Sequence, residues 1–180
     1  MNKVAKFEKV SYDQFKKDWL GEFKDKYSDD LDLKELDTII RRIYDSIKLP
    51  ERSTKHSAGY DFHCPAFTYL GAGRAIKIPT GIKCKIDEGW VLQCYPRSSY
   101  GFKYGVRLAN TVGIIDGDYY NNINNEGHIL IKLANDSVLG GNIKIEAGDA
   151  FCQGIFLPYG VTCDDNAEAE RVGGIGSTGK

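Results

Sequence analysis

Apolar residues between Ser11 and Ile47 recur at the spacing of a helix. The repeats are Phe15, Trp19, Phe23 and Tyr27, then Leu36, Ile40, Ile43 and Ile47. Such intervals place apolar side chains on one helical face. Ser11 with Gln14, and Asp32 with Glu35, have the separation of a capping residue and its reciprocal partner. The pattern predicts two helices, with the polar "YSDD" around residue 28 as the turn between them.

From Tyr60 onward the pattern changes to short alternating strands separated by glycine, proline or asparagine. The segments are "AIKIPTGIKCKI", "WVLQCYP", "HILIKLAN", "NIKIEAG" and "AFCQGIFLPY". Alternation of this kind is typical of half-buried strands and predicts a mainly β sandwich or jelly roll. An earlier strand is expected near "VAKFEKV", so the helical residues 11–47 are an insert in one domain spanning 1–180. The glycine-rich residues 165–180 are expected to form a mobile arm.

Charge and cysteine content narrow the class of protein. The 180 residues carry 24 Lys plus Arg against 25 Asp plus Glu, so no overall positive field favours stable nucleic-acid binding. Five cysteines without a C-x-x-C pair argue against a disulfide framework and a zinc site. No signal peptide and no apolar run of roughly 20 residues is visible, so we expect a cytoplasmic protein without membrane attachment.

The final ten residues, "RVGGIGSTGK", contain G-x-x-x-x-G-K from Gly174. A Walker phosphate loop also needs a strand before it, a Ser or Thr after the lysine, and a helix whose first amides face the phosphates. This segment shows none of these. We therefore expect the tail not to be a Walker loop, although its glycines and hydroxyls could still present donors to a phosphate chain.

Five segments occur in an order that carries a family resemblance. They are "SAGYDF" at 57–62, "YPRSSYG" at 95–101, "NTVGIIDGDYY" at 110–120, "GDAFCQ" at 148–153 and "ERVGGIGSTG" at 170–179. Together they resemble the five motifs of the homotrimeric dUTP diphosphatases (dUTPases) over residues 48–180. The resemblance implies a dUTPase-like jelly roll (β-clip), a homotrimer with shared active sites, and Mg²⁺-assisted hydrolysis of dUTP to dUMP and diphosphate. Such activity supplies dUMP for dTMP synthesis and keeps uracil out of DNA.

The second motif offers donors suited to phosphate. Arg97 is a planar fork of donors beside the hydroxyls of Ser98 and Ser99. Alone, this pattern is equally typical of a turn after a proline. The resemblance implies that these three residues bind the phosphate chain, that Gln153 faces the phosphates or the attacking water, and that Asp61 reaches the metal through water rather than directly.

The third motif supplies the implied catalytic carboxylate. Asp116 and Asp118 follow an apolar pair, and Gly113 and Gly117 are expected to allow a tight hairpin. Two carboxylates in a turn are usually solvated turn formers. The resemblance instead implies that Asp116 orients and activates the water that attacks the α-phosphorus.

The same motif is implied to recognise the nucleoside. Tyr119 matches the tyrosine that packs on deoxyribose and excludes a 2′-hydroxyl. Asn110, with main-chain groups of the hairpin at Gly113 and Ile115, matches the part that reads uracil. Because uracil offers two carbonyl acceptors and one N–H donor, a matched set of groups would reject cytosine's amino group.

The fifth motif is implied to close over a nucleotide bound at a neighbouring subunit. Its matching residues are Arg171, Gly174, Ile175, Gly176, Ser177 and Thr178. Ile175 stands where many family members have an aromatic residue that stacks on uracil. The third motif also continues into a longer turn, "YYNNINNEGH", to which the resemblance assigns no role.

Several alternatives stay open from the sequence. The inserted helices could pack on the barrel or offer a surface to a protein partner. A dCTP deaminase of the same fold would need a glutamate base where Asp116 stands. A non-catalytic regulatory protein on a dUTPase scaffold would explain the insert, and a capsid-like sandwich would explain the strands but not the order of the motifs.

Overall fold

A computed structural model describes residues 2–27, 31–137, 141–169, 171 and 173. The strands are β1 (Ala5–Lys9), β2 (Glu51–Arg52), β3 (Tyr60–His63), β4 (Thr68–Leu70), β5 (Ala75–Pro79), β6 (Ile82–Ile86), β7 (Trp90–Pro96), β8 (Val106–Leu108), β9 (Gly113–Ile115), β10 (Leu130–Asn135), β11 (Ile143–Ile145) and β12 (Ala150–Pro158). The helices are α1 (Tyr12–Phe23), α2 (Leu33–Ser46) and α3 (Ser98–Tyr104), with single 3-10 turns at Lys24–Lys26 and Gly117–Tyr119. The mainly β architecture expected from the alternating segments is confirmed.

The strands pair antiparallel in small sheets that enclose one core. The largest has the order β2-β3-β12-β7-β9, a second has the order β5-β10-β8, and β1-β6 and β11-β4 form pairs. Phe62, Leu92, Ile78, Leu133 and Phe151 project into the core and are almost completely buried. The alternation of the strands thus places one apolar face of each sheet inside.

Strand β12 aligns the segments that carry the candidate site. On one edge Gln153 lies opposite Asp61 of β3, and on the other edge it lies opposite Tyr95 of β7. Strand β7 then pairs with β9, with Cys94 opposite Gly113. A shift of one residue in either pairing would turn these side chains to the other face of the sheet.

The two predicted helices are present, and both predicted caps accept from the helix. Asp32 and Glu35 form a complete capping box at α2. Ser11 Oγ accepts from the Gln14 amide at 3.2 Å, but the Gln14 side chain does not return the bond. It donates instead to Asp18 at 2.7 Å, and the Ser11 amide finds its partner outside the helix. Of the expected turn between the helices, residues 28–30 lie outside the described part of the chain.

The insert packs on the barrel, as one of the two sequence interpretations expected. Its apolar faces bury Phe15, Trp19, Phe23 and Ile40. They cover the turn between β5 and β6, where Gly81 has φ of +74° and a Cβ would lie 2.3 Å from Ile47 Cδ1. Only glycine accommodates both the positive φ and this close approach.

The first turn of α1 is tied to the long turn after the third motif. Glu126 accepts from the Ser11 amide at 2.8 Å and from Ser11 Oγ at 2.5 Å, and Lys83 Nζ lies 3.6 Å from the same carboxylate. Burial raises the pKa of Glu126, but the bonds from Ser11 and the charge of Lys83 outweigh it and hold that pKa below its ordinary value. The carboxylate therefore stabilises this attachment while it is ionised.

We expect Phe15→Ala to lower the free energy of unfolding by about 3–5 kcal/mol, because a fully buried ring is lost and leaves a cavity. Urea titration followed by fluorescence and circular dichroism measures the change. Leu33→Ala is the control, since Leu33 is 84% exposed in the other inserted helix. A loss no larger than that of the control would show that the insert does not fold cooperatively with the barrel.

We expect the stabilisation from Glu126 to disappear in acid. Because its folded pKa is lowered, its contribution is complete above the ordinary pKa of 4.5 and is lost as the pH falls through the folded value. The melting temperature of the parent chain should therefore exceed that of Glu126→Gln near neutral pH, and the two should converge as the pH falls below 4.5. A difference that stays constant across this range would contradict an ionised bond to Ser11.

Candidate active site

The first and second motifs meet through a buried carboxylate. Asp61 lies on β3, not in a turn, and its side chain is 10% exposed. One of its oxygens accepts from Arg97 Nη1, and the other accepts from Ser53 Oγ at 2.7 Å. Because both oxygens are engaged, Asp61 fixes the guanidinium of Arg97 where β7 ends and α3 begins.

The other residues expected at the phosphate chain lie beside this pair. Ser98 and Ser99 are exposed in the first turn of α3. Gln153 projects from β12, in register with Asp61, and a Cβ at Gly59 would lie 2.6 Å from its Oε1. The glycine of the first motif thus makes room for the glutamine of the fourth. We call Asp61, Arg97, Ser98, Ser99 and Gln153 the phosphate half-site, after the role that the resemblance of the motifs implies for them.

The hairpin of the third motif lies earlier in the chain than the sequence suggested. The expected hairpin at Gly113 and Gly117 is wrong: the tight turn joins β8 to β9, with Leu108 bridged to Thr111 and Asn110 exposed at its tip. Thr111 takes the positive φ of 68° that the turn requires. Gly113 instead lies in β9, opposite Cys94. A Cβ at Gly113 would lie only 3.2 Å from Cys94 Cβ, so glycine serves the close packing of these two strands.

After β9 the chain turns so that Asp116 is accessible and Tyr119 is buried. Ile115 is buried at the end of β9, and Asp116 keeps 46% of its side chain exposed. Tyr119 lies in the 3-10 turn and its hydroxyl donates to the carbonyl of His128 at 2.9 Å, while Asn125 Nδ2 donates to it at 2.7 Å. Burial raises the pKa of Tyr119, so the phenol stays protonated and able to donate.

The start of the C-terminal arm lies over this hairpin in the same chain. Arg171 Nη2 donates to Asp116 at 2.5 Å and Arg171 Nε to Asp118 at 2.8 Å, with the guanidinium 5.8 Å from the centre of the Tyr119 ring. Asn122 Nδ2 donates to the carbonyl of Gly173 at 3.1 Å. The other expected arm residues, Gly174, Ile175, Gly176, Ser177 and Thr178, lie outside the described residues. We call Asn110, Gly113, Ile115, Asp116 and Tyr119 the nucleoside half-site, after the role that the resemblance of the third motif implies.

Sequence reasoning missed the residues of the long turn that hold the nucleoside half-site. Asn122, Asn125 and His128 contact the arm or Tyr119, and Asp118 shares Arg171 with Asp116. The available signal was the unusual run "YYNNINNEGH" itself, since repeated asparagines commonly hydrogen-bond their own backbone in turns. Gly127 in that run has φ of +74°, and a Cβ there would lie 2.3 Å from the carbonyl oxygen of Tyr119.

The two half-sites of one chain lie apart. Cys94 of β7 pairs with Gly113 of β9, and from this pair Arg97 and Asp116 are each three residues away in opposite directions. At the rise of an extended strand, the Cα atoms of these two residues are offset by roughly 20 Å along the sheet. Within one chain, Arg97 and Asp116 thus lie at opposite ends of the β7–β9 pair.

The described residues contain no cluster of three or more His, Cys, Asp or Glu able to hold a metal ion. The carboxylate of Asp61 is already bonded to Arg97 and Ser53, and this donor set suits contact with a hydrated Mg²⁺ rather than direct coordination. In the same part of the chain, no helix is long and apolar enough to cross a membrane.

Comparison with known proteins places the chain in a family. The dUTPase family model matches residues 45–179. The deoxyuridine 5′-triphosphate nucleotidohydrolase of Lactococcus lactis subsp. lactis (strain IL1403) is 45% identical over 135 residues, which cover 74% of this chain and 89% of that relative.

Solved structures agree with this match. The crystal structure of dUTPase from Streptococcus mutans is similar with a TM-score of 0.61 and 35% identity, covering 87% of this chain and 97% of that one. An aspartate-to-asparagine variant of the dUTPase from phage phi11 of S. aureus shares the fold with a TM-score of 0.57 and 21% identity, covering 72% and 95%. The order of the five motifs, the matched residues and these relatives together show that the chain belongs to the dUTPase family.

Proposed function

We propose that this protein is a dUTP diphosphatase that hydrolyses dUTP to dUMP and diphosphate. The observation that carries the proposal is the joining of Asp61, Arg97 and Gln153 on neighbouring strands, in a chain 45% identical to a deoxyuridine 5′-triphosphate nucleotidohydrolase. A deaminase of dCTP is disfavoured because the third motif supplies Asp116 where that chemistry needs a glutamate. The five free thiols fit a reducing cytoplasm.

The phosphate half-site binds the triphosphate. Arg97, held by Asp61, presents its remaining donors to phosphate oxygens, and the exposed hydroxyls of Ser98 and Ser99 add further donors. Gln153 lies within the same sheet and contributes an amide near the attacked phosphorus. These neutral and positive groups stabilise the negative charge that develops on the oxygens in the transition state.

Asp116 is the general base for the attacking water. Its carboxylate remains about half exposed, so a water can reach it and be aligned for in-line attack on the α-phosphorus. In the resting chain Arg171 occupies one oxygen of Asp116 and one of Asp118. We expect the triphosphate to compete for that guanidinium and so to free Asp116. The arm, with the expected residues Gly174, Ile175, Gly176, Ser177 and Thr178, would then close over the nucleotide.

The hairpin recognises the nucleoside. Asn110 at its tip and the main chain at Gly113 and Ile115 supply donors and acceptors to the edge of uracil. The ring of Tyr119 packs on the deoxyribose once Arg171 moves off its face. A 2′-hydroxyl would then have neither room nor a hydrogen-bond partner, so ribonucleotides are rejected.

Mg²⁺ is the expected cofactor, and Asp61 would help to hold it through water rather than as a direct ligand. The phage phi11 relative is described with a structural Mg(II) ion, which supports Mg²⁺ as a metal of this fold. When bound, Mg²⁺ neutralises phosphate charge and polarises the leaving group. A partner protein at the exposed side of the inserted helices stays a separate possibility.

The enzyme works as a homotrimer with shared active sites. The separation of Asp116 from Arg97 within one chain supports this, because a complete site then needs the nucleoside half-site of one subunit and the phosphate half-site of another. A ring of three identical subunits closes such a head-to-tail arrangement.

The activity is tested with purified protein, Mg²⁺ and each deoxynucleoside triphosphate. We expect diphosphate from dUTP alone, and a loss of at least about 10³-fold in kcat for Asp116→Asn with nucleotide binding retained, because only the base is removed. Asp87→Asn, an exposed carboxylate outside both half-sites, serves as the control. Ammonia release from dCTP, or dUTP binding without turnover, would contradict the proposal.

Shared sites are tested by mixing two inactive variants, Arg97→Ala and Asp116→Asn, through co-expression. A mixed trimer contains sites that combine an intact Arg97 of one subunit with an intact Asp116 of the next, so a random equal mixture should recover about a quarter of the wild-type activity. The double variant expressed with wild-type chain in the same ratio calibrates the mixing. If the two single variants together remain inactive, each site is built from one chain.

A further inference from the structure

The inserted helix α1 is joined to Tyr119 by a short chain of hydrogen bonds. Asp18 Oδ2 lies 2.5 Å from Nδ1 of His128, a residue with no exposed surface. The carbonyl of His128 in turn accepts the hydroxyl of Tyr119 at 2.9 Å. Asp18 belongs to the insert, outside the residues matched by the family model, whereas His128 and Tyr119 lie within them.

The geometry fixes which nitrogen of His128 carries its proton. The amide of Gly81 points at Nε2, at 2.7 Å, and a peptide N–H can only donate. Nε2 therefore has no proton, so the ring is neutral and Nδ1–H donates to Asp18. The imidazole is therefore hydrogen-bonded on two sides, to Gly81 in the turn between β5 and β6 and to Asp18 in the insert.

The environment of this pair keeps Asp18 ionised. Burial raises the pKa of Asp18, but the hydrogen bonds from His128 and Gln14 outweigh it and lower that pKa overall. Phe15 lies on the same helix face, with its ring centre 6.3 Å from that of His128, and excludes water from one side. A charged acceptor in a half-buried place makes the bond to His128 stronger than a bond between neutral groups.

The hydrogen bonds from His128 reach the Tyr119 hydroxyl by two routes. His128 accepts the tyrosine hydroxyl through its carbonyl, and its amide donates to the carbonyl of Asn125 at 2.9 Å. The side chain of Asn125 donates to the same tyrosine oxygen at 2.7 Å. If His128 shifts, both partners of the Tyr119 hydroxyl shift with it, and the ring loses its fixed orientation.

We propose that Asp18 and His128 are positioning residues for nucleotide recognition: the helical insert acts through them to hold Tyr119 against the sugar of the bound nucleotide. This inference rests on the proposed function, in which the Tyr119 ring contacts deoxyribose. The insert then has a role in substrate selection, through the contact between Asp18 and His128, which are 110 residues apart in sequence. The carboxylate of Asp116, the proposed general base, takes no part in these bonds, although the carbonyl of Asp116 accepts from the Tyr119 amide at 3.2 Å.

The test is steady-state kinetics with dUTP and UTP on the full-length chain. For Asp18→Ala we expect KM for dUTP to rise about tenfold, kcat to stay within about twofold, and the preference for dUTP over UTP in kcat/KM to fall about tenfold, since a tyrosine free to move tolerates a 2′-hydroxyl. Asp18→Asn keeps an oxygen that accepts from Nδ1–H, so it should stay within about threefold of the wild type in both measures.

Asp37→Ala is the matched control. Asp37 accepts from Tyr12 Oη at 2.6 Å and from Lys16 Nζ at 2.6 Å, so it joins the two inserted helices to each other. These bonds do not involve the long turn that contains His128. This variant should lose stability but keep the wild-type KM and preference. Equal kinetic effects of Asp37→Ala and Asp18→Ala would overturn the proposal, because they would reflect general loosening of the insert.

The protonated nitrogen of His128 can be identified directly. Nitrogen-15 NMR of the three histidines should show His128 as the Nδ1–H form in the wild type, with the signal altered in Asp18→Ala and retained in Asp37→Ala. A folded Asp18→Ala protein with unchanged KM and unchanged preference for dUTP overturns the inference alone. A wild-type protein that does not hydrolyse dUTP overturns the proposed function instead.

Discussion

The antiparallel register of β12 is the constraint on which the rest of the site depends. This strand pairs along one edge with β3 and along the other with β7, so it places Gln153 level with Asp61 and next to the end of β7, from which Arg97 projects. The pair formed by Asp61 and Arg97 is then possible without any movement of loops. Because the strands carry an apolar face into the core, a slipped register would expose that face, and the hydrophobic core therefore also fixes the geometry of the polar residues.

The same pairing separates two of the candidate site residues within one chain. Strands β7 and β9 run in opposite directions, so the functional groups that follow them leave the sheet at opposite ends, one carrying Arg97 and the other Asp116. The proposed sharing of sites between subunits would thus follow from antiparallel pairing rather than need an added feature. The arm adds a further element, since Arg171 neutralises two carboxylates that would otherwise repel a polyphosphate approaching the nucleoside half-site.

The sequence predicted what depends on local pattern. The spacing of Phe15, Trp19 and Ile40 predicted amphipathic helices whose buried faces the structure confirms, and the alternation around Gln153 predicted its strand. The candidate site residues came from the order of five motifs, and the family that this order indicated is confirmed. What could not be predicted depends on contacts between distant segments. No local signal says that Ser11 bonds to Glu126 or that Asp18 bonds to His128, and the hairpin was misplaced because Gly113 serves close packing against Cys94, not a turn.

Gly81 connects the insert and the barrel through two separate contacts. Its positive φ and its contact with Ile47 leave no space for a side chain, and its amide also holds His128. A side chain there would disturb both the packing of the helices and the hydrogen bond that supports His128. Transfer of the helical pair to another barrel of this family would therefore require glycine at the corresponding turn and a histidine placed to accept from its amide.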